Sequence, residues 1–525
     1  MTTTLAARLD RALADLPRAF PGPGGAAAVL RKGEVLARHA WGWANAERRI
    51  PFTARTLFRM CSITKQFTCA VVLDACPDPA VLDADIAARL PLLGPAPPTA
   101  LRLCHNQSGL RDYWAVAMLH GAPAEAPFGD AEAASVIAGA RTLQFAPGTR
   151  YSYANQNFRL LFDIVQSRTG RSFAELLRTS VFDRADMASA FLAADTRALP
   201  DGTEGYEGLA AGGYRPAENN LLWTGDAGLA ASLDDMIAWE RHIDATRDDQ
   251  GSLHARLSGP VAFADGTPAE YGFGLNRRPI LGRPAIGHGG ALRGWRSNRV
   301  YLPGERVSVV VMFNHLSEAH IAAERLLAAV LGDEPLPGGA AGDVSPPDWL
   351  GAYTEPETGL AVRIDMPDGA GAPAVRLRYG QNPEKLDLQP DGTAGQSATR
   401  LRPGPGGLWM DRPQDNQSSL LRPCQGEASR DMAGRYRCDE LDAEVTVIDA
   451  GGVLCGGFSG RLGQGRMETL TPVGPDVWLL PCPRALDHTP PGDWTLAFRR
   501  DAGGAVDGLE LGCWLARRLP YRRVG

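Results

Sequence analysis

Ser62-Ile-Thr-Lys65 is the segment of this chain best suited to covalent chemistry. A serine hydroxyl is a poor nucleophile until a base lies within hydrogen-bond reach. Residues i and i+3 share a helix face, so Lys65 can meet Ser62 at the start of a helix. Backbone N–H groups and the positive dipole end favour developing negative charge there. Lysine usage sharpens the reading. The sequence holds three lysines, Lys32, Lys65 and Lys385, among 54 lysines plus arginines, which leaves 51 arginines. Arginine cannot release its proton in a protein, whereas a lysine shielded from water can. A composition that otherwise uses arginine has kept lysine where a proton must move. A surface lysine one turn from a capping serine would spell the same pattern, so alone it assigns nothing.

Two further segments add to it. Gln144-Phe-Ala-Pro147-Gly148-Thr-Arg-Tyr151-Ser-Tyr153-Ala-Asn155 ends in Tyr-x-Asn, in the extended segment or turn before a helix. A phenol at Tyr153 beside a cation can shuttle a proton, and Asn155 can bind a substrate amide. Gly287-His288-Gly289-Gly290-Ala291 falls where a sheet strand should run, and glycines there let another chain approach the backbone closely.

The elements that must carry these segments are partly visible. Residues 26–31 and 34–41 are apolar-rich runs joined by Lys32-Gly33, which reads as a hairpin. A helical pattern follows Ser62 through Phe67, Val71, Val72 and Leu73. Residues 157–168 and 172–181 read as amphipathic helices with Thr169-Gly170 as the break. Residues 300–302, the turn Pro303-Gly304 and residues 307–313 read as a second hairpin, and 319–331 as a closing helix. Residues 333–347 are rich in Pro and Gly and have the texture of a linker. Beyond them, short alternating runs separated by Gly, Pro and Asp predict antiparallel all-β units. A weak repeat sits there: Trp349-Leu-Gly351-Ala-Tyr353 recurs as Met432-Ala-Gly434-Arg-Tyr436, 83 residues on. The expected architecture is an α/β (α+β) unit over 1–332, the linker, and two antiparallel β-barrels over 348–425 and 426–525.

Composition narrows the partners. At 525 residues the chain exceeds one compact core, since domains average about 150 residues. Lys+Arg 54 against Asp+Glu 60 gives a net charge of −6, without a basic stretch interleaved with aromatics, which argues against nucleic acid. None of the nine cysteines forms a CxxC pair, so a zinc knuckle is not expected. The amino-terminal segment is charged throughout, and no run of about 18 apolar residues follows. The expectation is a reduced, cytoplasmic protein with free thiols and no membrane span.

In their order and spacing the three segments resemble the serine β-lactamase and penicillin-binding-protein superfamily, whose signatures are Ser-x-x-Lys, Tyr-x-Asn or Ser-x-Asn, and Lys-Thr-Gly. Thr56-Leu-Phe58-Arg-Met-Cys-Ser62-Ile-Thr-Lys65-Gln-Phe-Thr68, Cys104-His105-Asn-Gln-Ser108-Gly109-Leu110 and Pro147-Gly148 agree with the branch that includes class C β-lactamases and D,D-peptidases. His288-Gly289-Gly290 in place of Lys-Thr-Gly argues against a classical β-lactamase and removes a fixed cation for a substrate carboxylate. Over the whole chain the resemblance is to three-domain bacterial D-aminopeptidases.

That resemblance implies an acyl-enzyme on Ser62, with Lys65 and Tyr153 sharing the proton traffic and either able to be the base. Asn155 would hold the substrate amide, and His288 would orient Tyr153 or the substrate. The backbone N–H groups of Ser62 and Ala291 would form the oxyanion hole. A loop of the last barrel, residues 480–492, would enter the active site, with Asp487 attracting the substrate ammonium; Asn276 and Arg296 would line the pocket. The implied substrates are short peptides, amides and esters with an N-terminal D-residue of the D-Ala type. β-Lactams are implied inhibitors, a homodimer the implied assembly, and no cofactor or metal is needed. An esterase, D,D-carboxypeptidase or β-lactamase of the same superfamily, or a sensor that acylates without turnover, stays open at this point.

Overall fold

The computed structural model describes residues 4–94, 96–332, 346–367, 373–396, 398–487 and 490–525, so the expected linker lies almost wholly outside the described residues. The chain opens with the helix Leu5–Ala19, capped by the Thr4 hydroxyl on the Ala7 amide. The first expected hairpin is present, as strands Gly24–Arg31 and Glu34–Asn45. Lys32 and Gly33 both have positive φ, 53° and 75°, which suits a two-residue turn matched to strand twist. These strands belong to an eight-stranded antiparallel sheet in the order Ile50–Pro51, Glu34–Asn45, Gly24–Arg31, Val307–Phe313, Trp295–Leu302, Ile286–Leu292, Leu275–Asn276 and Tyr271–Gly272.

Both faces of that sheet are covered, so its central strands read as apolar throughout. Along the first strand, Ala27 and Val29 pack with Leu9, Leu13 and Leu326 of the helices Leu5–Ala19 and Ala319–Leu331. The alternate residues Ala26, Ala28 and Leu30 join the large core with Phe67 and Val71. Those last two belong to the helix Thr64–Ala75, buried on every side from Thr64 to Leu73. A helix without a solvent face holds its residues in one place.

Boundaries differ from the sequence reading in physical ways. The helix expected from 157 runs Asn155–Thr169, starting two residues earlier because Asp112 accepts from the Asn155 amide. Gly170 ends it in the left-handed region. The helix expected over 172–181 begins under a Ser172 cap as Phe173–Leu177 and widens into a π-turn, Arg178–Phe182. The second hairpin turns over four residues, 303–306, rather than over Pro303-Gly304 alone.

Beyond residue 332 the described elements are almost all β, in two antiparallel sheets, one nearly closed and one a half-barrel. In the first, eight strands run consecutively from Gly351–Thr354 to Gln417–Leu420, and Arg422–Pro423 returns to pair with Gly351–Thr354. In the second, Ala516–Arg523 pairs with Gly434–Cys438, and residues 468–474 bridge Leu454–Gly460 to Val477–Leu480. The sequence repeat is structural: Tyr353 Oη donates to Trp349 O at 2.6 Å, and Tyr436 Oη donates to Met432 O at 2.7 Å. One connection breaks the likeness. In the pair of strands that precedes the last two of each sheet, two residues separate Thr399–Gly404 from Gly407–Arg412, whereas thirteen separate Val477–Leu480 from Trp494–Arg500.

Candidate active site

Ser62 sits in a single 3-10 turn, Cys61–Ile63, that runs straight into the helix Thr64–Ala75. Cys61 has φ 53°, a conformation that costs a non-glycine residue on the order of 1–3 kcal/mol. The turn is held against that cost. Thr64 Oγ1 donates to Cys61 O at 2.6 Å and accepts from Leu229 N at 2.9 Å.

One helical turn on, Lys65 is fully buried. Its Nζ donates to Ser62 Oγ at 3.1 Å, to Asn155 Oδ1 at 2.8 Å and to Asp226 O at 2.8 Å. It also lies 4.8 Å from the ring centre of Tyr153. Burial disfavours the ammonium and pushes Lys65 down to about 8, although the carboxylates of Asp226, Asp112 and Asp487 oppose the shift. The Tyr153 phenol is hydrogen-bonded to Ser62, and burial holds its own pKa well above the ordinary value. Near neutral pH the phenol therefore stays protonated, whereas the lysine loses its proton as pH rises through about 8.

Asn155 links this centre to its support. Its Oδ1 accepts from Lys65, and its Nδ2 donates to Asp112 Oδ2 at 2.9 Å. That commits most of its amide within the protein and leaves one N–H for a ligand, so its main work differs from the expected grip on the substrate amide. Asp112 is fully buried, accepts the Trp114 and Asn155 backbone amides, and is pushed up to about 6 by burial. Its own amide donates to Leu515 O in the last barrel at 2.9 Å. Asp226 accepts a 2.6 Å bond from Tyr113 Oη.

The third segment forms the strand Ile286–Leu292. Its outer edge pairs with Leu275–Asn276 only at Gly287, so the edge from His288 onward has no second neighbour among the described strands. Gly290 is required where it stands: a Cβ there would collide with Met60 O and Ser297 Oγ. The close approach is therefore that of the nucleophile turn. Gly289 is different, with its nearest neighbour 3.6 Å from an added Cβ. His288 is buried, with Nδ1 2.5 Å from Gly289 O and Nε2 3.2 Å from Tyr271 Oη. The first contact places the proton on Nδ1 and leaves Nε2 to accept from the tyrosine. Burial, reinforced by Lys65, lowers its pKa to about 3, so the ring is neutral. Of the two roles expected for His288, orienting Tyr153 or the substrate, the first is not what its contacts show: it bonds Tyr271, and its ring centre is 6.2 Å from that of Tyr153.

A cavity of about 550 Å³ opens on Ser62, and its walls come from all parts of the chain. Tyr153, Asn155, His288 and Ala291 line it together with Asn276 and Arg296. Arg296 Nη1 donates to Leu292 O and Trp295 O, both at 2.8 Å, which ties it to its own hairpin turn. From the first barrel come Gln381, Asn382 and Gln414; from the second come Ala485, Asp487, Pro490, Pro491, Trp514 and Leu515. Asp487 is 7% exposed and close enough to act on Lys65 and Cys61. The singled-out residues thus line one cavity, except Lys65, which lies buried behind Ser62 and Asn155. Asp112, Asp226 and Tyr271 were not anticipated. Asp112 is the N-cap of the helix Tyr113–Leu119, and that capping role hid its second one.

A sheet between helices, with a Ser-x-x-Lys turn at its edge, defines the class of β-lactamase-fold serine hydrolases. The β-lactamase family profile matches residues 9–333. The profile described as D-aminopeptidase, domain B, matches residues 343–522. The D-aminopeptidase of Gluconobacter oxydans is 59% identical over 539 aligned positions covering 100% of both chains. That of Brucella ovis is 45% identical and covers 97% of each. The chain belongs to the D-aminopeptidase family. Among solved structures, the octameric penicillin-binding protein homologue from Pyrococcus abyssi superposes with a TM-score of 0.54 at 20% identity, covering 87% of this chain and 98% of that one, and shares its fold.

Proposed function

We propose that this protein is a serine D-aminopeptidase, releasing N-terminal D-amino acids from peptides, amides and esters through an acyl-enzyme on Ser62. The observation that carries this reading is Lys65 Nζ, fully buried and 3.1 Å from Ser62 Oγ, which itself lines a cavity that also holds Asp487. Neutral Lys65 takes the Ser62 proton as Oγ attacks the scissile carbonyl. The backbone N–H groups of Ser62 and Ala291 receive the oxyanion, an arrangement in which each donor is worth about 3 kcal/mol. Tyr153, still protonated, hands a proton to the leaving amine and is recharged from Lys65. Water then enters by the reverse path and frees the D-amino acid. Asn155 fixes Lys65, and His288 acts through Tyr271 on the wall of the site.

Asp487 gives the substrate ammonium a counter-charge, and the proline-rich loop leaves no space for chain beyond it. A free amino end is thereby selected. The same reading divides the chain into a catalytic unit over 1–332, a linker over 333–347, and barrels over 348–425 and 426–525. β-Lactams are the corresponding inhibitors, acylating Ser62. All nine cysteines are free thiols, which supports a reducing, cytoplasmic location. No helix among the described residues is long and apolar enough to cross a membrane. Assembly as a homodimer belongs to the proposal also.

The test is hydrolysis of D-alanine p-nitroanilide, its L-isomer and the N-acetylated D-form. Rapid turnover of the first alone is expected. Equal turnover of the acetylated substrate would remove the aminopeptidase assignment while leaving a serine hydrolase.

A further inference from the structure

The loop between Leu480 and Trp494 could reach the cavity only if something fixes its descent, and the structure shows a dense lock at its near end. Arg293 follows the strand Ile286–Leu292 directly, two residues after Ala291, and its side chain is fully buried. One edge of its guanidinium donates to Ala485 O at 2.7 Å, Leu486 O at 3.5 Å and Ala124 O at 3.2 Å. The other nitrogen donates to Glu218 O at 2.7 Å. The next loop residue is Asp487. Arg293 cannot shift independently, because Gly294 packs its backbone on Gly205 and Tyr206, and Asn219 Nδ2 donates to Arg293 O at 3.0 Å.

Arg484 locks the same stretch from the loop side. Its Nε donates to Glu125, and Nη1 and Nη2 donate to the two oxygens of Glu207 at 2.9 and 3.2 Å. Glu207 is 7% exposed and lies 3.7 Å from Arg293 Nε, so one carboxylate sits between two guanidiniums. Forked arginine–carboxylate pairs fix orientation as well as distance. A single buried assembly therefore joins the strand carrying Ala291 to the loop carrying Asp487.

We propose that Arg293, Arg484 and Glu207 are positioning residues for substrate selection: they set the spacing between the site that holds the scissile carbonyl and the carboxylate that receives the α-ammonium. None of them lines the cavity. They act through Asp487 and the loop, and the proposal rests on the reading of that loop given above. The substrate class they enforce is one with a free amino group on the carbon next to the reacting carbonyl.

The experiment compares Arg484→Gln and Glu207→Gln with the wild type on D-alanine p-nitroanilide and on its N-acetylated form. In each variant KM for the free-amine substrate should rise about tenfold or more while kcat changes little, the split expected when ground-state binding is lost and chemistry is kept. The preference for the free amine over the acetylated substrate should fall by about the same factor, and Arg484→Lys, which retains charge without the fork, should recover part of it. An unchanged preference, or an equal loss on both substrates in variants with the wild-type melting temperature, overturns the proposal. If Arg484→Gln does not fold, Glu207→Gln and Arg484→Lys carry the same comparison. A wild type that leaves D-alanine p-nitroanilide intact would instead overturn the functional reading itself.

Discussion

The half of the molecule that supplies the reacting groups and the half that fences them are built on different terms. Ser62, Lys65, Tyr153 and Asn155 stand at the start of a buried helix and at the entry to another, joined by hydrogen bonds that centre on Lys65 and Ser62. The barrels contribute residues from connections between short strands, where length can change without disturbing the sheet. The two barrels make the point internally. They begin with the same tyrosine-to-carbonyl bond and each pairs its last strand with its first, yet one connection takes two residues and its counterpart thirteen. Chemistry is placed where the backbone cannot move, and selectivity where the chain has room to grow. The division is incomplete in one direction, since Leu515 of the last barrel holds the Asp112 amide behind Asn155.

Substitutions in the first half should break catalysis outright. Ser62→Ala should cut kcat by about 10⁴-fold or more, measured on D-alanine p-nitroanilide. Residual turnover near the wild-type rate would move the nucleophile elsewhere. Lys65→Met should cost about 10²- to 10⁴-fold, the range of a positioned proton acceptor.

The pH profile sharpens the same assignment. Lys65 acts in its neutral form, and burial places its pKa near 8 instead of 10.5. The rate should therefore climb as pH rises through about 8 and level off above it. His288, lowered to about 3 and neutral throughout, should add no inflection between about pH 5 and 8. An acid limb centred near 6.5 that vanishes in His288→Asn would contradict this.

Paired glycine substitutions probe how tightly the sheet edge is set against the nucleophile turn. Gly290→Ala drives a methyl into Met60 O and Ser297 Oγ, and overpacking of this kind costs about 1–3 kcal/mol in unfolding free energy. Gly289→Ala, with 3.6 Å of clearance, should stay close to the wild-type melting temperature and activity.

At the fence the effect falls on binding alone. Asp487→Asn should raise KM for free-amine substrates by about tenfold with kcat nearly kept, since it removes a binding charge and no reacting group. A collapse of kcat with KM unchanged would place Asp487 among the reacting groups and erase the contrast between the two halves.

Much of this was legible from local pattern. The Lys32-Gly33 hairpin, the helix after Ser62, the all-β texture beyond the linker and the Tyr353/Tyr436 repeat are all encoded within a few residues of themselves. The expected site residues other than Lys65 also line one cavity, and Lys65 lies buried directly behind it. What went unread was relational. Asp112 is not singled out by the sequence, because its contacts to Asn155 and Leu515 span 43 residues and about ten times that distance along the chain. His288 drew attention as a partner for Tyr153, whereas Tyr271, seventeen residues upstream, takes that bond.

The sequence by itself determined which atoms were on offer: one serine and one of three lysines at helical spacing, a phenol, a glycine-lined strand, and a proline-rich stretch containing Asp487. Folding decided what those atoms are. Lys65 becomes a proton acceptor because ten consecutive residues of its helix are buried, and desolvation depends on everything packed around a charge, near or far in sequence. Asp487 becomes part of a site begun at Ser62 because Arg293 and Arg484 bring the loop down to it, and no spacing in the sequence records that meeting.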